Sequence, residues 1–413
     1  MGAGTLIAFV SQISLLLFFA KRNNLEYSEK TLFVIVFIYS LLLGTVLMAL
    51  SYVYDGDTYM MTKFDAMVYF KESIRAHDVG FLQNMTYIMK KYEFDDWGAF
   101  CFDSFLMSII PSKYFLNLAY MIAGAISSVL LYRIGRHYMS DAYAFIGALA
   151  YGTSSFIISF HCTFLKESLF VAIVVCAMYN LCKFIHHENN AAPFGLVIFL
   201  GLLFFFRPAV AAFIVMGVSV YFAIKMHGSA LSLFMYLGII IIFIIALQSM
   251  MDMADAYSHG SEEKLMQSGN ANAYSGGFTT FVSIFGGFFG PFPTLFTKPD
   301  SAPTTIQFYG AGLTYKLFLI LPFFAGIYFI IKNKVLGLIP VLVFLLVEML
   351  LTGMVHASLE LRKVLPHIPF TYVVSFYGLS KWQDSNISKR IPEASIYTLA
   401  IGILILWNVV KST

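Results

Sequence analysis

Apolar residues run along most of this chain in windows of roughly 15 to 23, broken by short polar joints, with a denser polar tract between Asp55 and Ile110. A hydrocarbon core about 30 Å thick needs roughly 20 apolar residues of helix, because every backbone N–H and C=O inside lipid must be bonded within its own segment. The pattern therefore predicts an all-α integral membrane protein of about twelve transmembrane helices. The windows are 5–20, 31–53, 114–133, 141–160, 165–184, 192–206, 208–225, 229–249, 312–331, 335–353, 366–381 and 393–410. Their lengths suit helices and exceed those of barrel strands. Residues 1–413 read as a single polytopic membrane domain with no internal repeat.

The joints alternate between two compositions. One set is short and basic: KRNN at 21–24, RIGRHY at 133–138, KFIHHENN at 183–190, IKMH at 224–227, IKNK at 331–334 and SKWQDSNISKR at 380–390. With its flanks that side carries twelve Lys and Arg against six Asp and Glu, while the opposite side carries fourteen against seventeen. The positive-inside rule puts the basic set in the cytoplasm and both termini outside. Leu6 to Ala20 reads as a first span, since it lacks a basic lead and a small-residue cleavage site.

Three outer regions are long enough to build a site. The first, 54–113, contains Phe64 to Lys91, where Met67, Phe70, Ile74, Phe81 and Met85 recur at helical spacing, predicting an interfacial pair of amphipathic helices. The second, 250–311, starts polar and becomes FTTFVSIFGGFFGPFPTLF, whose glycines and prolines oppose a spanning helix and whose aromatics favour a re-entrant dip. The third is 354–365. Composition agrees with this picture: 59% of residues are hydrophobic and 12% charged, against about 25% charged in soluble domains. A net charge of +3 gives no reason to expect a nucleic-acid partner.

Candidate chemistry collects on the outer side. Asp65 opens a helical stretch with Tyr69 one turn on, where the helix dipole keeps a carboxylate ionised and ready to act as a general base; a plain N-terminal helix charge is the competing reading. Asp55 and Asp57, in YDGDTY, can hold a divalent cation or form an ordinary turn. No cofactor is otherwise indicated. Arg207, in LLFFFRPAV, would cost on the order of 2.5–3.5 kcal/mol at the centre of a membrane. At a span end it either snorkels or offers a planar donor fork to phosphate, and the fork is preferred.

Arg362 and Lys363, with His356, Glu360 and His367 nearby, repeat that theme, since two separated arginines on one face suit a pyrophosphate. His161, Lys166 and Glu167 share a tight outer hairpin, as phosphate or sugar contacts or as a local ion pair. Asn84-Met85-Thr86 is a glycosylation sequon. Cys101, Cys162, Cys176 and Cys182 show no metal-ligand spacing, and a Cys101–Cys162 bridge is disfavoured.

These residues resemble the GT-C superfamily, polytopic glycosyltransferases that use polyprenyl-phosphate-linked sugars. The resemblance rests on DAMVYFKESIRAHDVGF in the loop after an early span, LKESLFVAIVV at the outer end of a middle span, FFFRPAV, and LRKVLPHIPFTYVVSFYGL before a late one. It implies Asp65 as the acceptor-activating acid or base and Arg207 and Arg362 as ligands of the lipid-linked phosphate. In those families an early span leads straight to the acid, a place that Asp55 and Asp57 hold here.

O-antigen and EpsG-type polysaccharide polymerases are a rival resemblance, through GPFP at 290–293 and the dispersed arginines. A lipid-linked sugar flippase is a third reading, disfavoured because the ionisable groups gather at one rim. The expected partners are a polyprenyl-phosphate-linked sugar, a glycan, lipid or protein acceptor, and membrane lipid. The expected location is the bacterial inner membrane, with the site facing outward.

Overall fold

The computed structural model describes residues 3–20, 27–56, 58, 63–226, 238, 304–354, 364–383, 385 and 393–412. They form helices, and no strand occurs among the described residues. In chain order these are α1 (Ala3–Ala20), α2 (Glu29–Asp55), α3 (Lys63–Val79), α4 (Phe81–Lys91), a 3-10 turn at Phe94–Asp96, and α5 (Trp97–Ile109). There follow α6 (Lys113–Arg136), α7 (Asp141–Gly152), α8 (Ser155–His161), α9 (Glu167–Ile185), α10 (Ala192–Phe204) and α11 (Pro208–Lys225). The later helices are α12 (Thr304–Lys332), α13 (Ile339–Met354), α14 (Ile368–Gln383) and α15 (Glu393–Ser412).

Five of the described helices are long and apolar enough to cross a membrane: Glu29–Val53, Lys113–Arg136, Glu167–Ile185, Pro208–Lys225 and Gly310–Lys332. A sixth arises if α7 and α8, bent by 52° at their junction, count as one span. Twelve were expected. The difference has a physical source, because windowed hydropathy counts apolar residues without seeing where a helix breaks. The window at 141–160 is two helices, and α10 at 13 residues is about 20 Å long, short of a 30 Å core. The window at 229–249, apart from residue 238, and nearly all of the 250–311 loop lie outside the described residues.

The chain falls into two compact units. The first comprises Met1–Pro208, Phe292–Phe329 and Thr371–Thr413. Within it α6 packs against α2, α7 and α9, and α9 packs against α10. Tyr120, Tyr132, Tyr151, Phe145, Phe156 and Phe170 are buried there, while Leu42, Val53 and Val197 stay more than 60% exposed, as apolar side chains facing lipid must. The second unit comprises Ala209–Pro291 and Ile330–Phe370. In it His367 pairs with Glu348, both buried, and Phe344 meets Phe370 edge-on at 5.6 Å.

Residues 63–109 form a small helical body. Gly80 ends α3 at φ +86°, a backbone conformation that side-chain-bearing residues rarely adopt, and α4 starts immediately after it. Met85, Ile88 and Phe100 form its core, with Tyr69, Phe81, Tyr92 and Trp97 packed around them. The helix pair expected from Phe64 to Lys91 is present, and α5 joins it as a third helix that the spacing argument left out. Asn84 is buried with its amide donating to the Glu72 carbonyl and to Ser104 Oγ, so the sequon at 84–86 is closed to modification in this fold. Cys101 and Cys162 are free thiols.

Candidate active site

Three stretches far apart in sequence meet at the start of α9. Lys166 precedes the first turn of that helix and Glu167 occupies it, where the helix dipole favours a carboxylate. Arg207 sits in the turn after α10; its backbone N–H bonds the Leu203 carbonyl at 2.8 Å, and Pro208 starts the next helix. Its Nη2 donates to Glu167 Oε1 at 3.1 Å, and its guanidinium lies 5.1 Å from the centre of the Phe170 ring. From the 3-10 turn before α5 comes Asp96, whose Oδ1 accepts from Lys166 Nζ and from the Tyr69 hydroxyl, each at 2.5 Å. Lys166 also reaches the Asp95 carbonyl at 3.1 Å and the Phe206 carbonyl at 3.5 Å.

A backbone contact holds the loop in place. Gly98, in the first turn of α5, donates to the Phe205 carbonyl at 2.9 Å, one residue from Phe206 and two from Arg207. Any Cβ at position 98 would run into the Phe206 ring and the Phe205 carbonyl. Glycine is what lets α5 lie directly against the arginine turn. Phe94 reinforces the seat by packing on Phe205 at 4.9 Å between ring centres.

The charges balance as two cations and two carboxylates, largely withdrawn from solvent. Side-chain exposure is 3% for Glu167, 18% for Arg207, 11% for Lys166 and 30% for Asp96. Deeper in, Asp103 accepts from the Tyr120 hydroxyl at 2.6 Å and is fully buried. Burial pushes the Asp103 carboxyl up to about 7, against the pull of the Tyr120 hydrogen bond. The Tyr69 phenol is raised well above its ordinary range by burial and then by the Asp96 charge. Glu167 Oε2 and Asp103 Oδ2 are buried and find no hydrogen-bond partner among the described residues. A buried carboxylate oxygen left this way, as at Glu167, is an acceptor awaiting a donor.

Of the residues singled out from sequence, Tyr69, Lys166, Glu167 and Arg207 are therefore brought together. Asp65 is exposed in the first turn of α3, one helical turn before Tyr69 and on the same face. His161 is buried, bonded through Nδ1 to Ser168 Oγ at 2.8 Å, with its other ring edge against Gly124. That is a packing position, apart from the paired charges. Asp55 ends α2, and its side chain is outside the described residues, as are Asp57, Arg362, Lys363, His356 and Glu360.

Asp96 and Asp103 carry no role in the reading of the sequence. Two buried-side cations, Lys166 and Arg207, needed two carboxylates, and Glu167 supplies only one. That imbalance is the signal that could have pointed to the Asp95-Asp96 pair ahead of the aromatic start of α5.

No curated protein and no solved structure matches the chain. Residues 104–251 match the family model described as dolichyl-phosphate-mannose-protein mannosyltransferase. This stretch is a little over a third of the chain and contains Lys166, Glu167 and Arg207, while Tyr69 and Asp96 precede it. That family is one of the GT-C membrane glycosyltransferases, so over residues 104–251 the resemblance read from the sequence stands, and it indicates a membrane glycosyltransferase of the GT-C type.

Proposed function

We propose that this protein transfers a glycosyl group from a polyprenyl-phosphate-linked sugar to an acceptor hydroxyl at the outer face of the bacterial inner membrane. The observation that carries this reading is the convergence of Lys166, Glu167 and Arg207 with Tyr69 and Asp96 of the outer loop, beside the exposed Asp65.

In the reaction the acceptor oxygen forms a bond to the anomeric carbon of the sugar while the bond from that carbon to the phosphate oxygen breaks. Asp65 receives the acceptor's proton, an assignment that Asp57 would share if it lies beside the acceptor. The leaving polyprenyl phosphate gains negative charge, which Arg207 and Lys166 offset. Glu167 and Asp96 keep the two cations oriented before the donor arrives. Their pairing spares the enzyme from rearranging side chains at the moment of reaction. Outer-face access agrees with the basic joints on the opposite side of the spans.

Membranes containing the Asp65→Asn variant, supplied with a polyprenyl-phosphate-linked sugar, should lose transfer while the protein still accumulates at the normal level. Full activity in Asp65→Asn and in Arg207→Ala would remove both assignments. Product length separates a single-sugar transferase from a polymerase, because a polymerase adds repeat units successively and its inactive variant leaves one unit on the acceptor.

A further inference from the structure

At the far end of α9, roughly 28 Å from Glu167 by helix rise, a second cluster lies outside the proposed reaction. Cys182 and His186 are four residues apart at the end of that helix and so share a face. His137, in the turn closing α6, comes against them: one donor atom from each of the three lies within 4.8 Å of the others. The two imidazole rings stack at 4.4 Å with 9° between their planes. Glu188 stands 3.5 Å from His137 Nε2. Tyr138 bridges behind, its hydroxyl 3.1 Å from His186 Nε2 and 3.6 Å from Cys182 Sγ.

The backbone brings Glu188 round deliberately. His187 adopts φ +55°, a left-handed conformation uncommon for a residue with a side chain, and the Glu188 amide then bonds the Lys183 carbonyl at 3.0 Å. Two imidazoles, a thiol and a carboxylate are the donor set of a tetrahedral zinc-type site, in which the soft sulfur selects against magnesium and calcium.

We propose that His137, Cys182 and His186, with Glu188 as fourth donor, bind a zinc-type divalent ion that ties the end of α6 to the end of α9. Two parallel stacked rings cannot both aim an in-plane lone pair at one ion. Binding therefore turns His186, the exposed member, out of the stack and draws the thiol and the carboxylate inward. The thiol gives up its proton on binding, as zinc ligation requires. The basic joints predict that this end faces the cytoplasm, where a thiol stays reduced and available to metal.

The test uses the full chain, purified in detergent through a tag without histidine and stripped with a chelator, then titrated with Co²⁺. The expected result is one equivalent per chain, with tetrahedral visible bands, a sulfur-to-cobalt charge-transfer band and displacement by Zn²⁺. Cys182→Ser should lose the charge-transfer band, and His186→Ala, a change at an exposed side chain that leaves the fold intact, should lose stoichiometric binding. A wild-type titration without the thiolate band overturns the site. So does a band that survives Cys182→Ser, or full binding in His186→Ala.

Discussion

The two ends of the helix pair α6 and α9 carry similar numbers of charges and handle them differently. Near the start of α9, Arg207–Glu167 and Lys166–Asp96 join partners 40 and 70 residues apart, with Glu167 and Lys166 nearly closed to solvent. At the other end, Arg136–Asp141 joins residues five apart, with both side chains about half exposed, and Arg133–Glu29 is a two-bond fork at 2.6 and 2.8 Å with both partners more than a third exposed. Exposed pairs contribute about 0–1 kcal/mol, because water already solvates each partner well. Withdrawn pairs are different: they contribute little over an apolar replacement, yet removing one partner costs about 3–5 kcal/mol because the other is stranded. Among the described residues Glu167 Oε2 has no hydrogen-bond partner, which is the observation that the proposed phosphate site draws on.

The sharpest way to break this contrast is Arg207→Ala, which strands Glu167 and removes the proposed phosphate ligand. Transfer should fall by roughly a hundred- to a thousandfold, and the thermal unfolding midpoint in detergent should drop as well. A variant with normal activity and unchanged stability would erase the difference between the two ends.

Next comes a pH effect at Asp103. Its carboxyl is raised from 3.8 to about 7 in the folded protein, so between those values the unfolded chain has released the proton and the folded one has kept it. Stability contributed by the protonated form is complete below about pH 4 and falls as pH rises to about 7, by roughly 4 kcal/mol in all. Denaturation midpoints measured across that window should decline in the wild type and flatten in Asp103→Asn. A parallel decline in the variant would assign the slope to other groups.

Smaller still is Gly98→Ala. The added methyl meets the Phe206 ring and the Phe205 carbonyl, so the loop must shift at a cost of about 1–3 kcal/mol. Activity should fall further than stability alone accounts for, since Asp96 moves with α5; equal losses in the two readouts would make Gly98 a packing residue only. Last is Arg136→Ala, expected to change stability by under about 1 kcal/mol and transfer not at all. A large effect there would mean that exposure is the wrong criterion for telling the two ends apart.

How much of this was legible beforehand follows from what a one-dimensional pattern carries. The α3–α4 pair announced itself because Met67, Phe70, Ile74, Phe81 and Met85 repeat at helical spacing and Gly80 marks the break. Arg207 stood out because a guanidinium among phenylalanines needs a partner. Its partner was not legible, since Glu167 lies 40 residues earlier and offered Lys166 as an adjacent mate. The structure crosses the pairs instead: Lys166 reaches Asp96 and Glu167 takes the arginine.

Apolar periodicity was enough to indicate a helical membrane protein, because lipid imposes that rule segment by segment. Where α7 bends into α8, that α5 completes the body begun by α3 and α4, and that His137 faces Cys182 and His186 depended on packing between distant segments. Contacts of that kind are set by the shapes of both partners, and neither stretch of sequence contains the other.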